Sequence, residues 1–318
     1  MKPARSAFAA SVSLLLSCLF AIAALVPRPA AAETLTCTEI TVLPATIAAA
    51  GHYCLHQNFS AAFAVPAIQV NANNVVLDCN DHYINNSSPG VTGIYVSNRQ
   101  QVTVRNCGLT NFGRGIAYFE TTAGGSRNHL VSGNRVLKSR LTGIQMAGSA
   151  NIIENNRVSD NFGGSATYTY GILVSSFDGN GVANVVRNNV VTQIAPALYV
   201  RILGIYLIDV DNNAVINNTV SGLFPPLDMT AAGIGAAPSV LGTAAVGNTV
   251  LAVTGNPPGG GSGSINYGGG SIDGIRFDAD PDANNRNACR ANVVGHWQSN
   301  ILVEGATNGC VKDGNTEF

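Results

Sequence analysis

Charge is scarce in this chain. Of its 318 residues, 17 are Lys or Arg and 18 are Asp or Glu, which together make 11%. A nucleic-acid partner needs a basic footprint, and none is present, so nucleic acid is excluded as a partner. Helical periodicity is equally absent beyond the first 32 residues, which removes helical solenoids such as tetratricopeptide arrays. No phosphate-binding loop, dinucleotide fingerprint or Ser-His-Asp signature occurs. His82, His129 and His296 are scattered singly and read as structural.

The first 32 residues have the composition of an export signal. Lys2 and Arg5 form a basic start, Phe8 to Val26 is apolar, and Ala30-Ala31-Ala32 offers a cleavage site before Glu33. Cys18 lies inside the apolar run, which continues past it, so it is not read as a lipid anchor. A chain starting at Glu33 keeps 14 basic residues against 18 acidic ones, after loss of Lys2, Arg5 and Arg28. The expectation is a secreted or periplasmic protein with no stable membrane insertion once the signal is removed. Six cysteines remain: Cys37, Cys54, Cys79, Cys107, Cys289 and Cys310. An even number in an exported chain points to three disulfides. Cys79 and Cys107 lie about one repeat apart, as do Cys289 and Cys310. Cys37 and Cys54 are left to staple the N-terminal end.

What the chain has in abundance is repetition. Gly-Ile followed by alternating side chains occurs at Gly93-Ile94, Gly115-Ile116, Gly143-Ile144, Gly171-Ile172, Gly204-Ile205, Gly233-Ile234 and Gly274-Ile275. Degenerate copies stand at Ala67-Ile68 and Asn300-Ile301. The mean spacing is about 29 residues, which marks a stacked, quasi-one-dimensional fold. A second motif, Asn-x-Val, runs in phase at Asn134, Asn156, Asn189, Asn218, Asn248 and Asn292. Each repeat therefore reads as three short strands with a sharp corner at the Asn, a residue that tolerates the left-handed region. Three strands close one coil of an all-β, single-stranded parallel β-helix. About nine coils are expected over residues 67–318, with residues 33–66 as an N-terminal cap. Ile94, Ile116, Ile144 and their equivalents fill the bore. The corner asparagines form a second column of amides bonded rung to rung. Residues 255–271, with Pro257-Pro258 and two triple-glycine runs, must leave the coil as a loop.

The pairing of Gly-Ile strands with Asn-x-Val corners resembles the right-handed parallel β-helix proteins of the pectate-lyase-like superfamily. The opening Asn74-Val75-Val76-Leu77-Asp78-Cys79-Asn80-Asp81-His82 is similar to the first coil of many secreted members, with Asp81 where Gly is common. The resemblance covers residues 51–318. It implies a sugar cleft on the outward face of the Gly-Ile strand, where Tyr95, Ala117, Gln145, Leu173, Tyr206, Gly235 and Arg276 would point out. It also implies polysaccharide as partner, in a superfamily of lyases, hydrolases, epimerases and binding or structural proteins.

The residues themselves qualify that implication. A hydrolase needs two carboxylates about 5 to 10 Å apart, and the Gly-His-Gly motif of polygalacturonase-like members is absent. Arg114 immediately precedes Gly115, and Arg140 and Arg201 each lie three residues before their Gly. With Tyr95, Tyr170 and Tyr206 these would edge a basic, aromatic groove for an acidic glycan. Asp278-Ala279-Asp280-Pro281-Asp282 alternates acids as a calcium loop does, but Ala283 and Cys289 occupy its glycine and closing-glutamate positions. His52, Cys54 and His56 share one strand face without a fourth zinc ligand. No metal or cofactor is expected, calcium being the one ion with any sequence argument behind it. Two readings stay open. One is a lyase or uronate epimerase using Arg140, Arg201 or Arg276 on an acidic glycan, with Tyr95, Arg114, Tyr170 and Tyr206 binding it. The other is a non-catalytic glycan-binding, structural or surface-adhesion rod.

Overall fold

The computed structural model describes residues 36–162, 168–195, 201–224, 231–251, 272–277, 287–295, 299–303 and 311–317. These residues wind as a parallel β-helix. One coil runs Thr92–Ser97, Val102–Arg105, Gly108–Thr110, and the next begins at Arg114–Phe119. Equivalent strands stack into three parallel sheets of ten, eleven and ten strands. We call them the Gly-Ile sheet, the second sheet and the third sheet, in the order that the coil visits them. No strand pairs with its neighbour in sequence within a sheet. The repeat register is the sequence register: Ile94, Ile116, Ile144, Ile172, Ile205, Ile234 and Ile275 are successive partners, and all are fully buried. The Gly-Ile sheet has ten rungs rather than nine. Ala45–Ile47 pairs with Ile68–Val70, so the expected cap already contributes a rung.

Gly and Val of the two motifs meet inside the bore. A Cβ on Gly143 would overlap Val158 Cγ1 and come within 2.7 Å of the Gly171 carbonyl oxygen. Gly115 stands in the same relation to Val136, Gly171 to Val191 and Gly204 to Val220. The glycine and the isoleucine after it therefore both face inward. The missing side chain of one motif is the space that the valine of the other fills, at the close packing usual for protein interiors.

The Asn-x-Val asparagines form the expected ladder. Asn189 Nδ2 donates to Asn218 Oδ1 on the next rung (3.0 Å) and to Ile153 O on the previous one (2.8 Å). Its own Oδ1 accepts from Asn156 N and Nδ2, both at 3.0 Å. The same pattern runs from Asn134 through Asn156, Asn189, Asn218 and Asn248 to Asn292 and Asn315. One expectation needs correction. The left-handed residue at this corner is not the ladder asparagine but the residue before it: Gly133, Asn155, Asn188, Asn217, Gly247 and Ala291 all have φ between 50° and 68°. That residue turns the chain, and the next one points its amide into the bore.

A second ladder, not anticipated from the sequence, occupies the corner between the Gly-Ile and second sheets. Asn151 donates to Asn184, Asn184 to Asn213, and Asn213 to Thr243 Oγ1. At its N-terminal end stands His129. Its backbone N–H donates to Asn151 Oδ1 (3.0 Å), and its Nδ1 accepts the Val102 N–H (3.1 Å). With Nδ1 accepting, Nε2 carries the proton and donates to Ser126 Oγ (3.1 Å), which in turn donates to Ala147 O (2.9 Å). The ring also lies 4.5 Å from that of buried Tyr118. Burial lowers the His129 pKa to about 4, against backbone contacts at Val102 and Arg99 that act the other way.

Two disulfides lie wholly within the described residues, Cys37–Cys54 and Cys79–Cys107, with Cα separations of 5.9 and 4.7 Å. Cys289 is disulfide-bonded. Cys310, the export segment, the glycine-rich stretch 255–271 and Asp278–Asp282 lie outside the described residues. Pairing with Cys37 takes Cys54 out of the His52, Cys54, His56 set.

Two outcomes are expected. Asn189→Leu strands the Asn156 amide and the Ile153 carbonyl in a dry bore, at about 1–3 kcal/mol per unsatisfied group. Urea unfolding should therefore show a loss of about 3 kcal/mol or more, and a loss under about 1 kcal/mol would refute the ladder's role. His129 is neutral when folded and protonates near pH 6.5 when unfolded, so its contribution is complete above that pH. It is lost as pH falls from about 6.5 towards 4, a change of about 3 kcal/mol. His129→Asn, the residue found lower in the same ladder, should flatten that part of the stability profile.

Candidate functional site

The outward face of the Gly-Ile sheet is built by simple alternation. Tyr95, Ala117, Gln145, Leu173, Tyr206, Gly235 and Arg276 stand in one column, partner to partner. Tyr170 and Leu203 stand in a second column, immediately before the glycines, with Thr142 one rung and Arg114 two rungs before Tyr170. In the middle of the rod the strands lengthen to eight residues, Tyr168–Ser175 and Arg201–Ile208. This extension adds a third column in which Tyr168 pairs with Arg201.

Two cavities open on this face. One, of about 300 Å³, is lined by Tyr168, Tyr170, Arg201, Tyr206 and Arg276 with aliphatic neighbours. The other, of about 310 Å³, is lined by Arg114, Gln145, Tyr168, Tyr170, Leu173 and neighbours. Tyr168 and Tyr170 belong to both, so the two form consecutive chambers of one furrow along the rod. The rings of Tyr168 and Tyr170 are stacked at 5.9 Å, and Tyr170 and Tyr206 lie 6.1 Å apart. The arginines rest on aromatic rings: Arg201 lies 5.5 Å from the Tyr168 ring and donates to its hydroxyl (3.2 Å). Arg114 lies 5.5 Å from Phe119 and donates from Nε to Gln145 Oε1 (2.9 Å).

The described lining carries charge of one sign. Among the described residues neither lining contains a carboxylate, histidine or lysine. Burial lowers the Arg114 pKa, but a guanidinium starts so high that it stays charged. Burial pushes the Tyr170 phenol well above the ordinary tyrosine range, with Tyr168 and Tyr206 adding to the effect and Arg201 opposing it. Tyr170 is thus a neutral hydroxyl at physiological pH, able to donate and accept hydrogen bonds.

Of the residues singled out from the sequence, the structure brings Arg201, Arg276, Tyr170 and Tyr206 into one chamber and Arg114 into the next. Tyr95 lies on the same face but packs against Phe119 at 5.3 Å, outside both linings. Arg140 sits in the corner before Thr142–Ala147, over the ring of Phe162 at 5.6 Å, and lines neither chamber. Tyr168 was missed. Its signal is the alternation Tyr168-Thr169-Tyr170 leading into Gly171, a strand pattern that starts ahead of the Gly-Ile motif.

Residues 65–220 match the family described as a right handed beta helix region. No curated protein matches the chain. Among solved structures, the chain is similar to the Dettilon tailspike protein, with 16% identity and a TM-score of 0.41 over 87% of this chain and 60% of that one. It is similar to the bacteriophage CBA120 tailspike protein 2 enzymatically active domain, with 10% identity and a TM-score of 0.46 over 85% and 44%. It is also similar to the A-module of the Azotobacter vinelandii mannuronan C-5 epimerase AlgE4, with 13% identity and a TM-score of 0.38 over 82% and 80%. The chain thus spans less than two thirds of either tailspike chain.

Proposed function

We propose that this right-handed parallel β-helix protein of the pectate-lyase-like type binds an acidic polysaccharide in the furrow on its Gly-Ile sheet. The observation that carries the reading is the pair of adjoining chambers, each of about 300 Å³, that share two stacked tyrosines and hold Arg114 and Arg201, with Arg276 beside them and no carboxylate among the described lining residues. Tyrosine faces pack on the C–H faces of sugar rings, and arginine forks take carboxylates in a bidentate manner. Two chambers in succession along the axis suit consecutive units of a chain lying parallel to the rod.

Binding without turnover is the form of this reading that the lining supports best. A lyase or epimerase has to remove the proton beside a uronate carboxylate, which calls for a base poised near the working pH. The described lining offers guanidinium groups and phenols, and burial holds the Tyr170 phenol in its neutral form. The disulfides support an exported protein in an oxidising compartment.

Affinity electrophoresis through gels containing pectate, alginate or a neutral glucan tests this. Retention is expected on an acidic gel, weakening as salt rises because exposed charges are screened. The double variant Arg201→Ala, Arg276→Ala should lose about tenfold or more in affinity while keeping its far-ultraviolet circular dichroism. Equal retention on neutral and acidic gels, or none on any, would overturn the proposal and leave a structural rod. Growth of the ultraviolet band of unsaturated sugars would replace binding with a lyase.

A further inference from the structure

The third sheet carries another cavity, of about 260 Å³, built from quite different groups. Its floor is Gly108 and Thr110. On the rungs to either side stand Tyr83 and Arg135, the register partners of Gly108. Tyr83 is 48% exposed, a high value for a tyrosine in a sheet. The bare glycine is required beneath it: a Cβ at Gly108 would lie 2.9 Å from Tyr83 Cβ.

The end wall comes from an irregular corner. From the next rung onward the described second and third sheets are joined by two residues, such as Gly133-Asn134 or Asn155-Asn156, whereas Leu55 to Asn58, on the rung before, are four. Here four residues, Cys79 to His82, separate Val75–Asp78 from Tyr83–Asn86. Asn80 and Asp81 are consecutive non-glycine residues in the left-handed region, with φ of 48° and 62°. Backbone of this kind persists only where its surroundings hold it, and it clusters at ligand sites. The surroundings do hold it: Cys79 is bonded to Cys107, the Asp81 N–H donates to Asn106 O (2.9 Å) and the His82 N–H to Cys79 O (2.8 Å). The result is a held backbone that places the exposed Asp81 carboxylate beside the cavity that Tyr83 and Arg135 flank. Among the described residues neither Asp81 nor Arg135 has an ion-pair partner.

We propose that this cavity is a separate carbohydrate site that takes one neutral hexose unit. The charge balance decides the class. One carboxylate and one guanidinium cancel, so the site offers an acceptor for hydroxyl protons and a donor for hydroxyl oxygens, with no net attraction for an acid. The Tyr83 ring supplies the apolar face that a pyranose packs against, and the Thr110 hydroxyl adds a donor and acceptor. The volume falls just below the range of about 300–1,000 Å³ typical of sites for larger ligands, so the cavity suits a single ring. The site is independent of the furrow, whose lining is cationic and on another sheet.

The test uses the full chain and the methyl glycosides of glucose, galactose, mannose and N-acetylglucosamine, followed by saturation-transfer NMR. At least one should bind saturably. Tyr83→Ala and Asp81→Asn should each weaken that binding by about tenfold or more, with thermal unfolding unchanged for the Asp81 variant, whose side chain is exposed. The Arg201→Ala, Arg276→Ala variant should bind the same glycoside as the parent does. Absence of saturable binding for all four overturns the proposal, as does binding that survives both Tyr83→Ala and Asp81→Asn. Loss of binding in the arginine variant alone would overturn it too, by placing the sugar in the furrow. Failure of the acidic-gel experiment leaves this result unaffected, so the two readings fall separately.

Discussion

Everything in this molecule depends on the hydrogen bond that each inward amide makes to the rung beyond it. A β-coil must turn three times per circuit, and every turn interrupts the strand ladder. The backbone groups freed at a corner face a bore that holds aliphatic side chains, where an unmet donor or acceptor is costly. Asparagine meets the demand because one amide carries an acceptor and two donors. In the ladder Oδ1 accepts the backbone N–H and one Nδ2 hydrogen of the rung before it, and Nδ2 reaches backwards to a carbonyl and forwards to the next amide. Adjacent coils are thereby locked at the strand spacing. Where the column stops, another device takes over. Cys107 starts the first ladder with a disulfide to Cys79, and His129 starts the second with a fixed neutral tautomer.

Once the bore is satisfied, the outside is released from structural duty. Inside, rung after rung repeats Gly, Ile and Asn, with Val filling the glycine's gap. Outside, the corresponding column reads Tyr95, Ala117, Gln145, Leu173, Tyr206, Gly235 and Arg276, with no two neighbours alike. Such variation costs the stack little, because successive side chains on a strand point to opposite faces. Recognition chemistry can therefore be placed on any sheet by changing outward residues alone. Two of the three sheets here carry cavities of distinct polarity on that footing.

The same division explains what could be read from the residues alone. Gly-Ile and Asn-x-Val recur because the bore demands them, so the coil, the register and the first amide ladder were legible. The second ladder was less so, because its column mixes His129, Asn151, Asn184, Asn213, Thr243 and Asn287, and the repeat is of hydrogen-bonding capacity rather than of residue type. The left-handed position was assigned one residue late, since Asn occupies both places in Asn155-Asn156, Asn188-Asn189 and Asn217-Asn218. Tyr168 escaped because nothing in the bore requires the strand to start before Tyr170. Cys79 was expected near the point equivalent to Cys107, but its corner has four residues, as does the corner Leu55 to Asn58 on the rung before, while every later described corner of this kind has two, so the longer form does not stand out as a period.

The arginines show how far local pairing, and not net charge, decides what a face can do. On the second sheet Arg105 meets Asp78 at 2.8 Å and Arg187 meets Glu154 at 2.6 Å, each across one rung of register. Those cations are neutralised by a carboxylate on the neighbouring rung. On the Gly-Ile sheet the register partners of Arg114 are Thr92 and Thr142 and that of Arg201 is Tyr168, and the two guanidinium groups lie against the rings of Phe119 and Tyr168 instead. A ring fixes a guanidinium in place through its quadrupole and its flat surface but does not neutralise it. The furrow therefore stays positive on a chain whose overall charge is slightly negative, and in a partly enclosed site of lower dielectric that local sign outweighs the distant, screened remainder.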